Sequence, residues 1–405
     1  MGKLSIDWAT IFANADAKYT GSETSGYVSA FLTGMVAVGK LLGLNTSSLE
    51  TKAQNQYNVM VNNNAVFPTT VSFVRNLPML NTTTLHGHLS PNSGTHALAF
   101  MYELGKRYAG FSPVTDIPKA SEILDGWPIE ETNYYGTGAH RWYGRIDASG
   151  NGLGGYNSNN QNIGLVADVL FKALIDGSIE DTLTNLGNKP LWEYALDYLN
   201  AWKTKFPDFD SYYNDPFTGN ENNYPLRYYQ TVGRELLMII DILYKIGAIS
   251  DTELNSYVDW VDSIWIAHVK NIDWSTSSEY QDKKSEVSAY WLDTELMYAN
   301  LKQTNTLRAP TGVTIDELVS NVNQTAEIYE IDVYGVYLIN NAFGIIIKRP
   351  AIPSPGDTIT IIPWNFPDGI TIGGDGIQLE SVTIPQSGAT VRITAITKNN
   401  WRLVK

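Results

Sequence analysis

Apolar residues recur at helical spacing through most of the first 300 residues. Val28, Phe31, Met35, Val38 and Leu42 form one row. Val232, Leu236, Ile239, Leu243 and Ile246 form a second, and Leu254, Val258, Val261 and Trp265 a third. The same period predicts helices over about 94–108, 162–176, 190–206 and 286–302. Several ends are written in the chain. Ser250 and Glu253 are spaced as a capping box, and Gly247 stands where a left-handed residue stops the preceding helix. The run Leu236–Leu243 is apolar nearly all round, so it needs cover on several sides. Paired helices in two layers meet that need, which predicts an α/α toroid-like domain. A plain bundle is the rival, and no strict solenoid repeat is present.

Two long connections break this pattern. Residues 126–160 and 207–225 are rich in Gly, Asn, Tyr and Trp and poor in aliphatics. Loops of that length in a compact domain are functional or disordered, and their aromatic content argues against disorder. After Leu307 the period changes. Ala309–Gly312 reads as a linker, and Thr314 and Glu317 are spaced to cap one short helix. Alternation of period two then runs through Ile328–Tyr334, 357–362, 381–384 and 389–396, with turn signals at 367–369, 373–376 and 399–400. The fold class is thus multi-domain α + β. An N-terminal all-α, toroid-like domain spans 1–306, and a small all-β module spans 307–405 and anchors or trimerises.

Composition narrows the chemistry. A net charge of −14 lacks the basic footprint of a nucleic-acid binder. With no Cys there is no disulfide, thiolate metal site or Cys nucleophile. The most apolar stretch, Phe31–Leu44, is too short to insert in a membrane, and the start carries no export signal. The expectation is a protein made in a cytoplasm that leaves by lysis. Aromatics are weighted to Tyr (24) and Trp (11) over Phe (12). Such rings suit half-wet surfaces like sugar grooves, although most must serve the core.

The end of the chain, Gly388–Val404 with its Asn400-Trp401 strand, resembles the final hairpin of bacteriophage tail-fibre and tailspike proteins. Gly356–Ile361 followed by a Gly-Asp-Gly turn has the same look. The resemblance implies a homotrimeric virion protein that contacts other virion proteins and recognises and degrades a host cell-surface glycan; the alternative is a receptor-binding or structural virion protein without catalysis. More loosely, the helical part resembles α/α-toroid polysaccharide lyases. Their sites combine Asn, His, Tyr and Arg, but the Asn-Asn-His string of the alginate type is absent, because Tyr224 follows Asn222 and Asn223. On that resemblance, His140, Tyr143, Arg145, Tyr224 and Arg227 are catalytic candidates. Arg141, Trp142, Tyr156, Asn159, Asn160, Asn222 and Asn223 are candidates for substrate binding. β-Elimination asks Asn and Arg to neutralise a uronate carboxylate, and His or Tyr to move the protons. The plainer alternative is that His140 and Arg145 bond loop backbone.

Other chemistries are weaker. Paired-carboxylate hydrolysis draws on Asp147, Asp210, Asp215, Glu221, Glu235 and Asp293. His86, His88 and His96 lack the spacing of a zinc site. Asp147, Ser149 and Asn151 imitate the first half of a calcium loop, but Ser158 stands where an EF-hand needs Glu. A looser calcium site stays open, and no other cofactor is expected. The Gly-rich run 150–155 follows no strand and is not a phosphate loop.

Overall fold

The computed structural model describes residues 6–23, 26–62, 71–74, 118–147, 149–154, 158–219, 221–304 and 306–326, and the backbone of strands between 358 and 404. The described part is mostly helical. Helices α1 (Trp8–Lys18), α2 (Gly26–Leu41) and α3 (Ser47–Asn62) share a small core of Ile11, Phe12, Leu32, Met35 and Leu49. Gly39 is what lets α2 close on its neighbours: a Cβ there would lie 2.3 Å from Thr46 Cγ2 and 2.5 Å from the Phe12 ring. The helix expected over 94–108 lies outside the described residues, as do His86, His88, His96, Tyr156 and the alternation at 328–334.

The larger core is built on α5 (Asn159–Asp176), α8 (Pro225–Lys245) and α12 (Lys284–Leu301). Helix α8 packs between the other two. Every residue from Tyr229 to Leu243 is buried, which is the cover its all-round apolar surface required. Shorter or more amphipathic helices lie against these three. Helix α4 (Ala120–Gly126) packs on α5, and α6 (Leu191–Lys205) on α5 and α8. Helix α7 (Phe209–Tyr213) precedes α8. Helix α9 (Asp251–Val261) packs on α8 and α12, then runs through a π-helical turn, Asp262–Ile266, into α10 (Ala267–Asn271). Helix α11 (Ser278–Asp282) leads to α12, against which α13 (Ile315–Asn323) lies.

The predicted helix ends form as written. Ser250 and Glu253 make the reciprocal capping box, and Gly247 adopts φ 74° after α8. Thr314 accepts from the Glu317 N–H, but the Glu317 carboxylate takes the Tyr280 hydroxyl (3.0 Å) in place of closing a box. Residues after the compositional break still pack on the helices. Trp291 Nε1 donates to the Arg308 carbonyl (2.8 Å), Arg308 binds Glu295 and Asp262, and Leu318 is fully buried. Tyr19 donates to the Ala326 carbonyl (2.7 Å), so the first helix meets the end of α13.

The connection over 126–160 is not all loop. It contains an antiparallel hairpin of β1 (Ile129–Gly136) and β2 (Ala139–Trp142). Its register is broken by bulges, with Asn133 at φ 59°, so the period-two signal is scrambled in the sequence. A short pair, β3 (Thr182–Leu183) and β4 (Lys189–Pro190), precedes α6. Near the C-terminus β5 (Thr358–Ile361), β8 (Val391–Thr397) and β9 (Asn400–Val404) form an antiparallel sheet with β8 central. β6 (Ile370–Thr371) pairs with β7 (Thr383–Ile384). β5, β7 and β8 fall on predicted strands and β9 is the Asn400-Trp401 strand, whereas β6 has no predicted counterpart; the turns at 367–369 and 373–376 lie outside the described residues.

Candidate functional site

The three buried helices α5, α8 and α12 are each entered from a long polar connection: 127–158, 206–224 and 272–283. Two of these connections send a glutamate back to the first turn of the preceding buried helix. Glu221 accepts the Asn160 N–H at 2.7 Å, in the first turn of α5. Glu279 accepts the Leu226 and Arg227 N–H groups, both at 3.0 Å, in the first turn of α8. First-turn amides have no partner within their own helix, so a carboxylate from the next connection fills the gap. The pattern ties successive connections together, and it was not legible in the sequence, because glutamate and helix start lie more than 50 residues apart.

The two Tyr/Asn-rich connections are joined across the start of α5. Asp215 accepts from the Tyr134 hydroxyl (2.7 Å), Asn159 Nδ2 (2.9 Å) and the Phe217 N–H (3.1 Å). Asn159 Oδ1 accepts from the Tyr135 hydroxyl at 2.8 Å. Arg141 on β2 is 5% exposed, paired with Glu130 (2.6 Å) and Glu131 (3.2 Å), and its guanidinium lies 3.7 Å from the centre of the Phe217 ring. Beneath the seam run packed rings: Trp142 on Tyr198, Tyr135 on Trp202, Phe206 on Tyr212, and Tyr212 on Trp265. Much of the Tyr and Trp content is therefore core.

Each predicted residue except Tyr156, which lies outside the described residues, has a definite place. Trp142 is fully buried and its backbone N–H donates to Asn162 Oδ1 at 2.8 Å. Asn159 and Asn160 are buried in the seam; the Asn159 amide is taken by Tyr135 and Asp215, and Asn160 gives its N–H to Glu221 and its Nδ2 to the Tyr228 carbonyl (3.5 Å). His140 is half-buried and burial lowers its pKa. Its Nδ1 accepts the Asn133 N–H at 3.1 Å, so the neutral ring carries its proton on Nε2 and keeps no free lone pair for a base. The Tyr143 ring rests on Gly152, where a Cβ would lie 2.1 Å from it. Arg145, half-buried, accepts the Leu153 N–H with its carbonyl at 2.8 Å. Asp147 closes its own turn by accepting from the Ser149 and Asn151 N–H groups and from Asn151 Nδ2. Among the described residues no group of three or more His, Asp or Glu is arranged to hold a metal ion.

On the second connection Asn222 donates to the Tyr213 carbonyl (3.1 Å) and accepts from the Tyr229 hydroxyl. Asn223 is exposed, and Tyr213 and Tyr224 are each 47% exposed, whereas the neighbouring rings Phe206, Phe209, Tyr212, Phe217, Tyr228 and Tyr229 are buried or half-buried. Arg227 lies 4.6 Å from the Tyr224 ring centre and 5.6 Å from that of Tyr228. Its Nε is held by Glu279 at 3.1 Å, and its two terminal nitrogens bond no described residue. Phe209 stacks on His268 at 4.1 Å beside Tyr213. Among the described residues no hydrogen bond or ring contact joins His140 or Tyr143 to Tyr224 or Arg227.

Several buried carboxyls are displaced from their ordinary range. Burial pushes Glu221 up to about 8, against the Tyr212 hydroxyl and the Asn160 N–H, which favour its charged form. Burial likewise raises Glu286 to about 7 and Asp293 to about 7, in part offset by Arg227 and Arg234 respectively. Asp293 sits with Arg234 (3.8 Å) and Glu235 in the interior, and Glu235 lies against Gly164 of α5. Comparison with known family models and with curated proteins finds no match to the chain.

Proposed function

We propose that the chain is a phage-type virion appendage whose helical part recognises a host surface glycan. The recognising surface is the end of the molecule where α5, α8 and α12 begin. The observation that carries this reading is the pair of exposed tyrosines, Tyr213 and Tyr224, flanking Asn222 and Asn223, with the guanidinium of Arg227 presented beside them. Tyrosine faces stack on sugar rings while their hydroxyls stay wet, and an Arg fork matches a sugar carboxylate. Glu221, Glu279 and Asp215 fix the backbone beneath, so little order must be gained on binding.

The order of the helices supports a toroid-like arrangement in this proposal: α5, α8 and α12 form an inner set, with α4, α6, α9 and α13 outside it. The C-terminal sheet is read as a separate module that anchors or trimerises. Cleavage of the bound glycan by β-elimination belongs to the same proposal in a reduced form. Tyr224 and Arg227 remain its best-placed groups, whereas the His140 tautomer disfavours that residue as base. The test is incubation with capsular and cell-wall polysaccharides, reading retention of the protein, absorbance of unsaturated uronides and released reducing ends. Retention that is lost in a Tyr213→Ala/Tyr224→Ala variant is expected. No retention on any glycan would remove the reading, and retention with neither product would leave a binder and no enzyme.

A further inference from the structure

Glu286 stands in the first turn of α12 with its carboxyl enclosed in protein. Among the described residues neither of its oxygens has a hydrogen-bond partner. An ionised carboxylate left that way is costly, so the group needs either a proton or a compensating charge. The strongest compensating charge is Arg227, the same residue that offers its fork beside Tyr224. In return Glu286 leads the charges that act on Arg227, ahead of Glu279, although no hydrogen bond joins the two. Arg227 of α8 is bonded by Glu279 of α11 at 3.1 Å, and α12 packs along α8 so that Glu286 stands seven residues before Asp293, as Arg227 stands seven before Asp293's partner Arg234 (3.8 Å). Two further charges bear on Glu286: Lys283, at the turn before α12, favours its ionised form, and Glu279 opposes it.

We propose that Glu286 is a proton-operated counter-charge that sets the affinity of Arg227 for the carboxylate of an acidic sugar. This rests on the glycan reading above and adds its regulation. With Glu286 ionised, Arg227 faces two internal carboxylates and the local charge is negative, which repels an incoming anion. With Glu286 protonated, only Glu279 is left to balance Arg227, and the free terminal nitrogens take the ligand carboxylate in a fork. Burial holds the group near neutrality, so the change falls within the physiological pH range. Glu279 cannot replace Glu286 in this role, since its oxygens are committed to the first turn of α8.

The test uses the full chain labelled at glutamate Cδ and arginine Nε, followed by NMR. Glu286 is expected to titrate near pH 7, well apart from exposed glutamates, and its midpoint should rise in Arg227→Gln. Glucuronate is the probe ligand. It should shift the Arg227 signal at pH 6 and bind about tenfold more weakly at pH 8, and Glu286→Gln should make the two conditions equal. A Glu286 midpoint among the exposed glutamates, or the same pH ratio in Glu286→Gln as in the parent chain, would overturn the proposal. A normal Glu286 titration with an Arg227 signal indifferent to glucuronate at both pH values would instead overturn the acidic-sugar reading and spare the proton linkage.

Discussion

Arg141 shows how a residue type alone can mislead. In the sequence it belongs to a His-Arg-Trp-Tyr cluster suited to a sugar carboxylate. In the fold its charge is spent on Glu130 and Glu131, and its planar face on Phe217. Arg141→Ala leaves two carboxylates beside buried rings, and a loss of about 3 kcal/mol in unfolding free energy is expected from denaturant titration. A variant as stable as the parent would show that the pair is a surface feature. Tyr224 and Arg227, from the same sequence reading, keep exposed or uncommitted groups. Nothing local distinguishes the two arginines, because what differs is the ring and the carboxylate each meets from a distant segment. Glu279 and Glu286 were missed for the same reason: they act on Arg227 from another helix.

Helices were legible because a period of 3.6 and local caps are properties of neighbouring residues. Gly247 and the Ser250–Glu253 box needed nothing beyond the chain itself. The hairpin at 129–142 was not legible, since its bulges break the alternation and its inward face is Tyr and Trp, which the loop composition also contains. Its attachment is tertiary: Tyr134 and Asn159 both bond Asp215. Tyr134→Phe removes one of these bonds and keeps the ring packing, so a cost of about 1 kcal/mol is expected. Hydrogen exchange should quicken in 129–136 and 214–218 together. Faster exchange in only one of the two segments would argue that they move independently. Ser250→Ala should cost a similar ~1 kcal/mol by loss of the α9 cap, with no effect on that exchange.

At the scale of the molecule, buried acids set the pH response. Glu221, Glu286 and Asp293 have folded pKa values raised to about 8, 7 and 7, above their ordinary 4.5, 4.5 and 3.8. The folded state therefore holds protons that the unfolded state releases. The stability these groups contribute is complete below about pH 4 and is lost progressively as pH rises to their folded values. His140 and His268, lowered by burial, act oppositely below about 6.5. Between pH 6.5 and 8.5 the acids prevail, so the melting temperature should fall across that interval. A melting temperature that rises over the same range would contradict the burial of these carboxyls in solution. The proposed C-terminal module makes a second prediction. Light scattering should find the full chain trimeric and a chain ending at Ala326 monomeric, with the helical melt retained, because α13 stays with the helices it packs against. A monomer in both cases would count against the fibre-like reading of the C-terminal strands.

The most direct measurement is affinity of the full chain for acidic host-surface polysaccharide by calorimetry, with Tyr213→Ala/Tyr224→Ala as the comparison. Both rings are solvent-exposed, so their removal should leave the melt unchanged while affinity drops at least about tenfold, each stacked ring being worth on the order of 1 kcal/mol. Undiminished binding by the folded double variant would place recognition elsewhere on the molecule and contradict the account.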